Sequence, residues 1–116
     1  MMHSLTISTS ARLSSDSGYF SVVVLEQHNT RTKGHFAAMD GDRELGRMYY
    51  SWAGIDNFII NHTEVIPEAK GTGTGKFLVE GAVNYARANK LKLTPVCAFA
   101  NAMFKKNKEW RDVLFE

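Results

Sequence analysis

The sequence predicts an α/β domain of the α+β type: a mixed, mainly antiparallel sheet completed by one βαβ crossover. Three observations carry this. From Tyr19 to Ile66, β-branched and aromatic runs alternate with short polar turns. From Gly75 to Asn89 the apolar period becomes that of a helix. Between these regions stands KGTGTGK (Lys70–Lys76), where three glycines alternate with two threonines. A length of 116 residues points to one domain with no separate substrate domain.

The elements follow in order. Residues 1–18 are rich in Ser and Thr and lack the basic start and continuous apolar stretch of a secretory signal. They are expected to form a loose arm that adds at most a strand through SLTIS (Ser4–Ser8), leaving residues 19–116 as the domain. YFSVVVLEQ (Tyr19–Gln27) reads as a strand, and NTRTKG (Asn29–Gly34) as a polar turn. HFAAM (His35–Met39) is a short strand, followed by the hairpin signal DGD (Asp40–Asp42), because Asp and Gly accept the positive φ of tight turns. ELGRMYYSWA (Glu44–Ala53) is a long strand whose alternation puts Tyr50 and Trp52 on the core face. FIINHTEVI (Phe58–Ile66) is the strongest strand, and with it the antiparallel meander ends.

Pro67 marks the change of period. Leu78, Ala82, Tyr85 and Ala86 form a helical stripe, flanked by Val79 and Val83, with Asn89 as the stop. KLKLTPVCAFA (Lys90–Ala100) reads as the returning strand. Pro95 cannot donate to a ladder, so this strand lies on an edge, is bulged, or splays from its neighbour. NAMFKKNKEWRDVLF (Asn101–Phe115) reads as two short helices broken near Asn107, with Asn101 as the first cap.

Composition narrows the function classes. The residues are 44% hydrophobic and 22% charged, as in ordinary soluble domains, and a net charge of +2 supports nucleic-acid binding poorly. The longest apolar runs fall far short of the ~20 residues of a membrane span. A lone cysteine, Cys97, cannot form an internal disulfide and fits a reducing compartment, so a cytoplasmic location is expected. His3, His28, His35 and His62 are scattered in sequence, which argues against a metal site. Monomer and homodimer are both open.

The glycine loop opening a helix is an anion cradle in kind. The first four N–H groups of a helix have no partner within it, and its dipole is positive there. Glycines allow several amides to turn toward one phosphate, and the Thr72 and Thr74 hydroxyls offer further donors. A Walker loop is not matched, since Gly75-Lys76 is followed by Phe77. A dinucleotide fingerprint is not matched either, since Lys76 stands at the third glycine and Leu93 near the expected acid. A flexible crossover without a ligand is the plain alternative.

VIPEAKGTGTGKFLVEGAVNYA (Val65–Ala86) resembles the acetyl-CoA signature of the GNAT superfamily of N-acetyltransferases, V-x-P-x-x-[RK]-G-x-G-x-G between a strand and a helix. NHTEV (Asn61–Val65) before it and TPVCAFANAMFKKNKEW (Thr94–Trp110) after it resemble a compact GNAT-like subfamily of short chains. The likeness runs from about His35 to Phe115. The chain has Glu68 where the superfamily often has Gln or Arg, and Met103 where the subfamily often has Tyr.

The resemblance implies a GNAT-like fold in which the strands flanking the helix splay and acetyl-CoA fills the wedge. The backbone of Thr63, Glu64 and Val65 would face the pantetheine. The amides of Lys70, Gly71, Thr72, Gly73, Thr74 and Gly75 would hold the pyrophosphate, with Lys76 adding charge or standing solvated. The chemistry implied is acetyl transfer to a small-molecule or protein amine. His62 is the candidate base, because histidine titrates near neutrality; it is otherwise a structural histidine. Cys97 is the candidate nucleophile, or otherwise a small buried hydrophobe, and the two together would make a nucleophile and its base. A non-enzymatic acyl-CoA-binding protein, and a small interaction module for another phosphate ligand, remain the alternatives.

Overall fold

The computed structural model describes residues 5–14 and 20–115. Chain order becomes sheet order without exception: β1 (Leu5–Ser14), β2 (Phe20–Asn29), β3 (Lys33–Asp40), β4 (Arg43–Trp52), β5 (Asn57–Val65) and β6 (Lys92–Pro95) lie side by side in one six-stranded sheet. Every neighbouring pair through β5 is antiparallel, as short turns require, and only β5–β6 is parallel. The predicted meander is therefore present. Leu5–Ser14 pair with β2 along their whole length, so this strand runs past the SLTIS segment. Residues 1–4 and 15–19 of the expected arm and Glu116 lie outside the described residues.

The crossover is helix α1 (Thr74–Asn89), entered through a short 3-10 turn at Pro67–Ala69. Its stripe is the predicted one: Leu78, Val79, Ala82, Val83 and Ala86 are fully buried. They pack onto Phe36, Met48, Tyr50, Phe58 and Ile60, the core face of the strands. Leu78, Val79 and Val83 each contribute about 1.5–3 kcal/mol by leaving water. Lys90 ends the helix in the left-handed conformation (φ 56°), its N–H bonding back to the carbonyls of Ala86 and Arg87.

One strand is shorter than expected. The sequence reading carries it from Lys90 to Ala100, but the ladder runs only from Lys92 to Pro95. Past Pro95, which has no N–H, the amides of Val96 and Cys97 both turn onto the carbonyl of Ile60, each at 3.1 Å. Helix α2 (Ala98–Lys106) starts at once, so its cap is Cys97 rather than Asn101. The Cys97 Sγ accepts the Ala100 N–H at 3.3 Å. After the expected break at Asn107, a 3-10 turn (Lys108–Val113) buries Trp110 against Phe104 and is tied to α1 by the Arg87–Asp112 ion pair.

Candidate functional site

The early end of β6 creates the site. β5 pairs with β6 only from Asn57 to Ile60, so its edge from Asn61 to Val65 has no strand beside it. This is the splay that Pro95 announces. A cleft of about 470 Å³ opens there, walled by Thr63 and Val65 of β5, the loop from Ala69 to Lys76, and Phe99 and Met103 of α2. Basic Lys70 and Lys76 stand at the loop wall, and Val65, Phe99 and Met103 supply the apolar part of the lining.

The loop amides divide into two groups. Those of Lys70 and Thr72 are spent inside the protein, on the carbonyls of Pro67 and Ala69, each at 3.2 Å. Among the described residues, those of Gly71, Gly73, Thr74, Gly75 and Lys76 have no protein partner. Of the amides expected to form a cradle, Lys70–Gly75, the tight turn that precedes them therefore engages two, Lys70 and Thr72. Gly71 (φ 81°) and Gly73 (φ 93°) hold positive φ, which explains why both are glycine. The threonine hydroxyls are also committed. Thr72 Oγ1 donates to the Ala69 carbonyl at 2.5 Å, and Thr74 Oγ1, buried, lies 2.9 Å from Thr72 Oγ1. They rigidify the loop instead of offering donors.

A β-bulge decides which β5 side chains face the cleft. Tyr49 opposes His62 and Tyr50 opposes Ile60, so Asn61 is the extra residue. Simple alternation from Phe58 and Ile60 would turn His62 inward; the bulge turns Thr63 inward instead. Thr63 lies opposite core residue Met48, and its Oγ1 is 3.4 Å from Cys97 Sγ. His62 lies on the sheet face away from α1, exposed, stacked on Tyr49 at 6.2 Å, with Nε2 3.2 Å from Glu64 Oε1.

The two candidate catalytic residues are therefore not in contact. Cys97 stands beside Thr63 on the α1 side of β5, and His62 stands beside Glu64 on the other side. The Glu64 side chain turns away with His62, and its carbonyl lies against Gly46 on the β4 side, so the backbone of Thr63 and Val65, not of Glu64, faces the open edge. Glu68, where the family often has Gln or Arg, is ion-paired with Arg43 at the surface. Phe99 and Met103 are cleft residues that sequence reasoning missed. Reading a strand through Ala100 placed Phe99 in a ladder, and only the helix start at Ala98 points it at the loop.

The histidines scattered in sequence are partly gathered in space. His28, His35, Tyr49 and His62 form one cross-strand row on the helix-free face of β2 to β5. Burial, followed by the nearby charges of Arg47 and His28, lowers the pKa of His35 below its usual 6.5. Among the described residues no group of three or more His, Cys, Asp or Glu is placed to hold a metal, and no helix is long and apolar enough to cross a membrane.

Comparison with known proteins agrees with this geometry. No curated protein matches the chain. The solution structure of a GCN5-like protein from Staphylococcus aureus, designated provisionally as an N-acetyltransferase, superposes with a TM-score of 0.59 at 33% identity, covering 70% of this chain and 80% of that one. The profile described as GCN5-related N-acetyl-transferase matches residues 35–113, which include most of β3, all of β4 to β6, the glycine loop and both helices. The chain belongs to the GCN5-related N-acetyltransferase family.

Proposed function

We propose that the protein binds acetyl-CoA in the cleft between β5 and α2 and transfers the acetyl group to an amine. The observation that carries this is the line of five unpartnered amides, from Gly71 to Lys76, along one wall of a cleft whose adjoining wall is an unpaired strand edge. A diphosphate takes the amides, because they are N–H donors at the positive end of a helix. The arm that follows contains amides, and it pairs with the open backbone of Thr63 and Val65 as a strand would.

The thioester then lies near Asn61–Thr63, where both faces of β5 are within reach. On the α1 side, the Cys97 sulfur attacks the thioester carbonyl. A new S–C bond forms, the bond to CoA sulfur breaks, and CoA leaves as the thiol with the proton that Cys97 gave up. An amine arriving at the open edge of β5 attacks the Cys97 thioester next, and the sulfur is released. His62 accepts the proton that the amine loses, held in place by Glu64 at 3.2 Å. Two roles on two faces replace the nucleophile–base pair that the sequence alone suggested.

Calorimetry with CoA, ATP and NAD separates the ligand classes: binding of CoA alone is expected, and a preference for ATP or NAD contradicts the reading. A thiol-release assay with a panel of amines then separates enzyme from binder. Release above background is expected with at least one amine, whereas CoA binding without release favours a non-enzymatic acyl-CoA-binding protein.

A further inference from the structure

Gly75 differs from the two glycines before it. Gly71 and Gly73 need glycine for their positive φ, but Gly75 carries ordinary helical backbone inside α1. A glycine there costs about 0.8–1 kcal/mol relative to alanine. What an alanine would meet is a neighbour: a Cβ on Gly75 would sit 2.4 Å from Cζ, 2.9 Å from Cε2 and 3.2 Å from Cε1 of Phe99, so the ring would have to move off the loop. The third glycine of the loop is therefore the seat of an aromatic ring from the start of α2.

That ring is not core. Phe99 remains 41% exposed, whereas Phe104 of the same helix is 4% exposed and packed on Trp110. Phe99 stands in the cleft with Met103 and Val65, facing the amides of the loop. An aromatic side chain left half in water at a ligand cleft gains by closing on an apolar or uncharged surface. A phosphate, which keeps its water, offers it nothing.

We infer that Phe99, seated on Gly75, is a specificity-determining residue that selects a diphosphate bearing a long uncharged arm over a bare nucleotide diphosphate. The inference rests on the acetyl-CoA reading above. On that reading the pantetheine leaves the loop amides and passes between the open edge of β5 and the Phe99 ring. Gly75 is bare so that the ring can lie close enough to the loop to meet the arm as it leaves the diphosphate.

The test compares two probes by calorimetry: CoA, and adenosine 3′-phosphate 5′-diphosphate, which is CoA cut at the diphosphate. Phe99→Ala is expected to weaken CoA binding by about tenfold, the worth of a half-buried aromatic contact, and to change binding of the cut probe less than about twofold. Phe99→Leu restores part of the CoA affinity. Gly75→Ala weakens CoA binding in the native chain and has little further effect in the Phe99→Ala background, because the two substitutions remove one contact. Equal loss for both probes overturns the inference, since the ring would then merely support the loop. So does an unchanged CoA affinity in Phe99→Ala, or a Gly75→Ala effect of the same size in both backgrounds. A native chain that binds neither probe removes the acetyl-CoA reading itself, and this inference with it.

Discussion

Thr63 Oγ1 and Cys97 Sγ meet at 3.4 Å across the base of the splay, where β5 loses its parallel neighbour. The contact joins the strand whose edge is open to the residue that caps α2. Cys97 is thus both a structural cap and the one thiol of the chain, at the place where a thioester would arrive.

The two roles separate by substitution. Cys97→Ala removes the cap and is expected to cost about 1 kcal/mol of stability, whereas Cys97→Ser, which can still accept the Ala100 N–H, costs less. Both are expected to abolish the proposed acetyl-Cys97 intermediate. Intact-mass analysis of the native chain after exposure to acetyl-CoA should show one acetyl group on Cys97 that an amine removes. Full turnover by Cys97→Ser would show that the acetyl group passes directly to the amine.

His62 lies on the other face of β5, so its loss leaves the cleft whole. His62→Ala is expected to lower kcat by roughly 10²-fold or more, with CoA affinity within about twofold of native. Thiol-release kinetics and calorimetry read the two quantities separately. Equal loss of both would make His62 a structural residue.

Positive φ makes Gly73 the most restrictive loop position, at 93° directly before α1. Gly73→Ala strains the backbone by about 1 kcal/mol or more and tilts the unpartnered amides after it. Thermal unfolding should show the loss of stability, and CoA affinity should fall with it. An alanine that leaves both unchanged would mean that the loop geometry is not needed.

Acid should destabilise the fold by way of His35. Its folded pKa is lowered, so it contributes stability that is present above its usual value of 6.5 and is lost as pH falls through the folded value. Glu26 and Glu44 on neighbouring strands oppose this shift but are outweighed by burial, Arg47 and His28. Urea unfolding between pH 7.5 and 5 should become easier as pH falls, and His35→Gln should flatten that trend. Asp112, whose pKa is lowered by its hydrogen bond to Arg87, adds a second loss of the same sign, below its usual 3.8.

A substitution far from the cleft serves as a control. Tyr50 is buried, accepts a hydrogen bond from Gln27 Nε2 at 2.8 Å, and donates to Asn29 Oδ1 at 3.0 Å. Burial raises the pKa of its hydroxyl, which stays protonated. Tyr50→Phe leaves the buried Gln27 amide short of a partner and should cost about 1–3 kcal/mol in denaturant unfolding. CoA binding by the folded fraction should not change.

The meander and the crossover helix were legible because each is a periodic signal: β-branched runs between polar turns, then the Leu78–Ala86 stripe. Pro95, which lacks an N–H, left an edge, a bulge or a splay open in the sequence, and the splay itself came only with the resemblance. What stayed hidden depends on single-residue events. Nothing in NFIINHTEV marks Asn61 as a bulge, yet that one residue puts Thr63 rather than His62 beside Cys97. Likewise, LTPVCAFA contains enough β-formers to read as strand throughout, and the helix starting at Ala98 depends on a thiol cap that propensity does not weigh. The commitment of the Lys70 and Thr72 amides follows from the turn at Pro67–Ala69, a geometry that composition does not give.

Titration of ¹⁵N-labelled protein with CoA, followed residue by residue in amide spectra, asks the central question directly. The account predicts the largest shifts at Gly71, Gly73, Thr74, Gly75 and Lys76 and along Asn61–Val65, with smaller ones at the already bonded Lys70 and Thr72. Shifts confined to other parts of the sheet, or none at saturating CoA, would contradict it.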